Sequence, residues 1–261
     1  MKLRTLVALP GAAVVALAVA GHWIAAGLGD PGRIVGRPYT GPAAGLPLGT
    51  DGAGRDVWLR LLAGGRPLVL VPVLAVALTA VIGTATGMLA GYRGGIVDAL
   101  VSRVDGLLLA VPPVLVLLVI LHGWGYNPVT LVAVVVVTGA PFVSRVARAA
   151  TLQAMRQGYV EQAVGLGEGT VSVLLREILP NIVRPILADA GTRLAIAVSL
   201  TAAAGFLGFG PDEPNWGAMI SQNVEGVGLT PWAVLAPAVC LAILAVTANL
   251  GMDRLAARLD Q

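Results

Sequence analysis

The 261-residue chain contains one cysteine (Cys240), two histidines (His22 and His122), a single lysine (Lys2) and only 12% charged residues. Each scarcity excludes a class of protein. One cysteine inside an apolar run can form neither an intrachain disulfide nor a thiolate cluster, and it reads as a small core residue. Two histidines near the ends of apolar runs, with no carboxylate close in sequence, give no metal-ligand spacing and no nucleophile–base constellation. A P-loop requires lysine after glycine, and the one lysine follows Met1. The net charge of +3 is spread over 16 arginines and that lysine without a basic run, so there is no nucleic-acid footprint. An ordinary soluble domain has about 25% charged and about 45–50% apolar residues. Here the hydrophobic share is 57%, which argues against a soluble globule.

The long apolar runs remain. Stretches without Asp, Glu, Lys or Arg extend over 25 residues (5–29), 26 (67–92), 39 (106–144), 18 (194–211) and 27 (226–252). About 20 apolar residues span a bilayer. As one helix the 39-residue run would be roughly 58 Å long, nearly twice the hydrocarbon thickness, so it must fold back. His122-Gly-Trp-Gly-Tyr-Asn-Pro128 supplies the turn, with helix breakers and aromatics suited to an interface. The expected fold is an all-α membrane protein with about six transmembrane helices, near 5–27, 67–91, 106–122, 129–147, 187–208 and 231–250.

With the N-terminus inside, twelve basic residues fall in inside segments and five (Arg33, Arg37, Arg55, Arg60, Arg66) in outside ones, which places both termini in the cytoplasm. Ala18-Val19-Ala20 also resembles a signal-peptide cleavage site, but the apolar character continues to Leu28 and favours a retained helix. The chain divides into 1–66, the first helix plus an extracytoplasmic segment, and 67–261, a five-helix core with a cytoplasmic loop at about 148–186. Asp56–Leu62 reads as an amphipathic stretch on the membrane surface. Pro72, Pro112, Pro113, Pro141 and Pro237 bend spans, and Gly83, Gly87 and Gly91 form a ridge for close helix approach.

The cytoplasmic loop is the informative segment. Tyr159 to Asn181 reads as a short helix from about Arg156 to Leu166, a glycine break at Gly165, Gly167 and Gly169, and a second helix capped by Thr170 and stopped before Pro180. In that second helix Val171, Leu174, Leu175 and Ile178 make one apolar stripe expected to pack back on the protein.

Glu161, Ala163, Gly167, Leu179, Pro180 and Asn181 resemble the EAA loop of ABC importer permeases, with Gln162 in place of the second motif residue and Glu177 where close relatives usually carry histidine. The likeness extends along the chain, nearest to inner-membrane permeases of dipeptide, oligopeptide and nickel importers. Leu48-Gly-Thr-Asp-Gly-Ala-Gly-Arg-Asp56, Gly91-Tyr-Arg-Gly-Gly-Ile-Val-Asp98, Phe206-Leu-Gly-Phe-Gly210, Trp216-Gly-Ala-Met219 and Asn249-Leu-Gly251 fit successive blocks of that group. The acidic residue that relatives carry ahead of Phe-Leu-Gly is missing, since 201–205 is uncharged.

The resemblance implies a type I ABC importer permease fold and no catalytic residue or cofactor in this chain. It further implies ATP and magnesium in two cytoplasmic ABC ATPase subunits, a second homologous permease and an extracytoplasmic substrate-binding protein. Glu161, Ala163, Gly165 and Gly167 would form the ATPase-docking corner, with Leu179, Pro180 and Asn181 fixing its return to the membrane. Asp51, Arg55 and Asp56 read either as a solvated, self-paired turn or, with Trp216, as a face toward the binding protein. The implied cargo is di- or oligopeptide, with nickel or another small solute as the alternative. An ion-driven secondary transporter would want ionisable residues at mid-membrane, and the five uncharged runs lack them.

Overall fold

The computed structural model describes residues 2–210 and 214–258, with side chains described for 9–210 and 214–251. The helices are α1 (Lys2–Leu28), α2 (Val57–Ala63), α3 (Pro67–Arg93), α4 (Gly95–Ala110), α5 (Pro113–Trp124), α6 (Pro128–Ala154), α7 (Gly158–Gly165) and α8 (Thr170–Ser172). A π-helical turn, Val173–Ile178, then leads into α9 (Leu179–Phe206), followed by α10 (Trp216–Asn223) and α11 (Trp232–Arg258). Among the described residues β-structure is limited to isolated bridges, two of which, Ile34 with Arg55 and Thr50 with Asp56, close the irregular 29–56 segment.

Five helical runs are long and apolar enough to cross a membrane: Leu9–Leu28, Val57–Arg93, Pro128–Ala154, Thr170–Phe206 and Trp232–Gly251. The pair α4–α5, bent by 86°, makes a sixth if it is one crossing. The turn expected at 122–128 is present. Asn127 caps α6, its Oδ1 accepting the Thr130 N–H at 3.0 Å, and Pro128 takes the first helical position, where a missing N–H costs nothing.

Three expectations are corrected. The span expected at 106–122, read as bent by its prolines, is broken outright at Val111-Pro112. Proline forces the residue before it out of the helical region, and Val111 is extended at φ −91°, ψ 124°. The helix on its N-terminal side begins at Gly95. The stretch Asp56–Leu62 does not lie on a surface: Val57 and Leu59 to Ala63 are all buried. Arg60 gave the stretch its amphipathic look, and its charge is neutralised inside the protein. Lastly, the loop's second helix does not stop before Pro180 but runs through the π turn into α9. A proline ring clashes with the carbonyl four residues back in a regular α-helix. The wider π turn ahead of Pro180 relieves that clash, and the Asn181 side-chain amide donates to the Glu177 carbonyl at 2.6 Å.

The chain packs as two compact units that interleave in sequence. The first comprises Met1–Val73, Leu117–Val132 and Leu194–Ala248. Its core joins Val14 and Ala18 of α1, Val57 and Leu61 of α2, Leu68 of α3, Val198 and Ala202 of α9, Trp216 and Met219 of α10, and Ala233 and Leu244 of α11. The second unit comprises Leu74–Val116, Ala133–Arg193 and Asn249–Gln261. Its core runs from Met88, Val143 and Ala147 of the α3–α6 pair to Val160 and Ala163 of α7, then Val173, Ile178, Ile182 and Ile186. The glycine ridge is the reason α3 and α6 pack closely: a Cβ on Gly83 would meet the Ala140 carbonyl oxygen at 2.7 Å, and one on Gly91 the Arg148 carbonyl oxygen at 3.0 Å.

Candidate functional site

In the second unit, α7 forms an outward corner. Val160 and Ala163, three residues apart, face the core, while Glu161, Gly165, Gly167 and Gly169 are exposed. Glu161 has no side-chain partner among the described residues. The C-terminus of α7 is a Schellman motif. The Glu168 N–H donates to the Ala163 carbonyl at 3.1 Å and the Gly167 N–H to the Val164 carbonyl at 3.0 Å, with Gly167 at φ +84°. The break therefore sits at Gly167; Gly165 is still helical and Gly169 caps the next helix.

A Cβ on Gly165 or Gly167 would meet nothing within 4 Å, so neither glycine makes a close approach inside this chain. Gly167→Ala is expected to cost about 1–2 kcal/mol through its left-handed backbone alone, whereas Gly165→Ala should be neutral or slightly stabilising as a helix substitution. Thermal unfolding of the two variants in detergent separates them; equal midpoints would contradict this assignment of the break.

The apolar stripe beyond the corner also departs from expectation. Val173 and Ile178 are fully buried, while Val171 and Leu175 are 68% and 56% exposed. The buried face follows Val173, Ile178, Ile182 and Ile186, whose first spacing is five residues because the π turn adds one. Leu179 is partly buried against that core, and Pro180 and Asn181 are exposed.

An ion pair missed in the sequence, Asp98 with Arg148, ties α4 to α6: the Arg148 Nη2–H donates to Asp98 Oδ2 at 2.6 Å and Nε–H donates to Oδ1. Its partners lie 50 residues apart, and no local spacing announces it.

In the first unit Asp51, Arg55, Asp56 and Trp216 have structural partners. Asp51 is 1% exposed and Arg60 2%, and the two form a buried ion pair. Asp51 Oδ1 also accepts the backbone N–H groups of Ala53 and Arg55, each at 2.9 Å, and its Oδ2 accepts Arg55 Nε–H at 2.9 Å. Burial works to raise the Asp51 pKa, but the Arg55 N–H and the charges of Arg60 and Arg55 outweigh it and hold the carboxyl below its ordinary range.

Arg60 Nη2–H reaches Gln222 Oε1 at 3.1 Å, and the Gly52 N–H reaches Asn223 Oδ1 at 2.8 Å, so the network fastens 51–60 to α10. Asp56 caps α2, accepting the Trp58 N–H at 2.9 Å. Trp216 is fully buried, its indole N–H donating to the Leu61 carbonyl at 2.7 Å. Of the two readings left open for this turn, the structure shows self-pairing, with Asp51 buried rather than solvated, and the side chains of Asp51 and Trp216 brace the loop from within. Arg55 and Asp56 keep partial exposure. A further fastening, not foreseen, is Tyr39, at φ +52°, whose ring lies where a Cβ on Gly226 would sit.

Residues 83–261 match the family described as binding-protein-dependent transport system inner membrane component. The chain belongs to this family. It is a multi-pass permease subunit of an ABC importer. Among its relatives, the dipeptide transport system permease protein DppC of Alkalihalophilus pseudofirmus is 30% identical over 84% of this chain and 73% of its own length. The glutathione transport system permease protein GsiD of Pectobacterium atrosepticum is 30% identical over 84% and 74%. A putative peptide permease of Brucella suis is 35% identical over 76% and 68%. Among solved structures, a chain of the MetNI methionine ABC transporter in an inward-facing conformation superposes with a TM-score of 0.56 at 19% identity, covering 76% of this permease and 95% of that chain. At that identity the likeness concerns the fold.

Proposed function

We propose that this permease carries di- or oligopeptides inward as one of two related permease subunits, with both termini in the cytoplasm, and takes its energy from two ATPase subunits docked at the α7 corner. The observation that carries the coupling role is the unbroken helical run Thr170–Phe206, which follows the corner directly. Its 37 residues are about 55 Å long at about 1.5 Å per residue, well beyond a hydrocarbon core of about 30 Å. A push on the corner is thereby transmitted along one rod to a membrane span.

In this reading Glu161 offers its unpaired carboxylate to an ATPase arginine or backbone donor, and Ala163 seats the corner on the core. Leu179, Pro180 and Asn181 set the π turn that joins corner to span. ATP and magnesium belong to the partner subunits. The peptide assignment is supported by the names of the relatives, and an extracytoplasmic binding protein delivers the cargo.

The test is purification of the tagged permease in detergent, with mass spectrometry of what accompanies it, followed by peptide uptake in proteoliposomes. A P-loop ATPase and a second permease should co-purify, and uptake should require ATP. A permease that purifies alone and moves solute down an ion gradient without ATP would refute the proposal.

A further inference from the structure

The segment that links the corner to α9 carries two overlapping apolar faces. In α-helical register Val171, Leu174, Leu175 and Ile178 would share one face. In the structure the buried pair is Val173 and Ile178, and Val171 and Leu175 stand exposed. The difference is one residue: the Leu179 N–H donates to the Leu174 carbonyl five positions back, closing a π turn. Such a turn is an α-helix with one residue too many, and removing the surplus rotates everything upstream by roughly 100°.

That rotation exchanges one apolar set for the other against the same core, while Ile178, Ile182 and Ile186 remain seated because they lie at or beyond the end of the turn. The upstream connection can absorb it. Gly165, Gly167 and Gly169 have open space at their Cβ positions, so the backbone there turns without a side-chain clash. The two registers are opposed by different terms. The α register closes on the Pro180 ring, and the π register leaves Val171 and Leu175 uncovered.

We propose that Thr170–Leu179 is a two-register element: it occupies the π register when the corner is unloaded and passes to the α register when the ATPases close, exchanging the side chains presented beside the corner while the glycine connection leaves α7 and the span seated. The inference rests on the coupling role proposed above. A partner shifts the element only through contacts that differ between registers, and the side chains that differ are Val171, Val173 and Leu175.

The test uses the complete importer in lipid nanodiscs, with Cys240→Ser as background and Val173→Cys added. Maleimide labelling of Val173→Cys should be slow without nucleotide and about tenfold faster in the vanadate-trapped complex. Slow labelling in both states, in a complex that hydrolyses ATP and imports peptide, overturns the two-register inference and leaves the coupling role standing. Failure of the permease to bind an ATPase overturns the coupling role instead.

The register exchange is then judged on the permease alone by deleting Leu175. That deletion puts Val173 and Ile178 four apart, so a plain α-helix buries both. Amide hydrogen exchange across 173–179 should slow about tenfold relative to the wild type as local opening is suppressed; unchanged exchange overturns the inference.

Discussion

Asp51→Ala is expected to destabilise the permease by about 3–5 kcal/mol, because it strands a buried guanidinium whose charge the carboxylate neutralises. Arg60 is 2% exposed, and without Asp51 only the Gln222 amide oxygen remains to it among the described contacts. The same substitution orphans the N–H groups of Ala53 and Arg55. Arg55→Ala should cost far less, because Arg55 is partly solvated and Arg60 would still hold Asp51. Thermal unfolding in one detergent ranks the two, and equal losses would refute a buried pair as the centre of the network.

Acid adds an independent check. A carboxyl whose folded pKa lies below its unfolded value contributes stability that is complete above about pH 4 and is lost as pH falls through the folded pKa. Wild-type stability should therefore drop more steeply below about pH 4 than that of Asp51→Asn, which cannot titrate there. Parallel acid profiles would contradict the role given to Asp51.

What was legible in the sequence followed rules that act over a few residues. The 122–128 turn was readable from Gly, Asn and Pro, and the glycine ridge from its four-residue spacing. The Glu161 corner was legible because Gly167 supplies the positive φ that ends α7. What escaped depends on partners distant in sequence or on a change of helical period. Arg60 resembled the polar face of a surface helix because nothing nearby shows that Asp51 turns inward to meet it. Pro180 resembled a stop signal because the rule assumes α geometry, and the π turn ahead of it voids the assumption. The same extra residue brought Val173 into the buried face and left Val171 and Leu175 exposed, with Leu174 partly buried against the core, since a 3.6-residue period cannot anticipate a spacing of five.

Gly87→Leu is expected to cost about 3 kcal/mol or more, and the loss should reach the α7 corner proposed to couple to the ATPase. A Cβ on Gly87 would overlap the Ser144 carbonyl oxygen and approach Ala147 Cβ at 2.9 Å, and backbone cannot yield as a flexible side-chain tip can. The helices must separate, and a membrane supplies no hydrophobic force to draw them back, because lipid tails solvate the gap as well as leucine does. The α3–α6 pair that parts holds Met88, Val143 and Ala147, and these belong to the same core as Val160, Ala163, Val173 and Ile178. Parting them removes the floor on which α7 and the π turn rest. Recovery of the ATPase should fall with stability, whereas Ala85→Leu, two residues away on the exposed side of α3, should leave both unchanged. If Gly87→Leu unfolds at the temperature of Ala85→Leu, α3 and α6 do not approach as described. If it is destabilised yet retains its ATPase, the corner draws its support from α7 and α9 rather than from the helix pair beneath them.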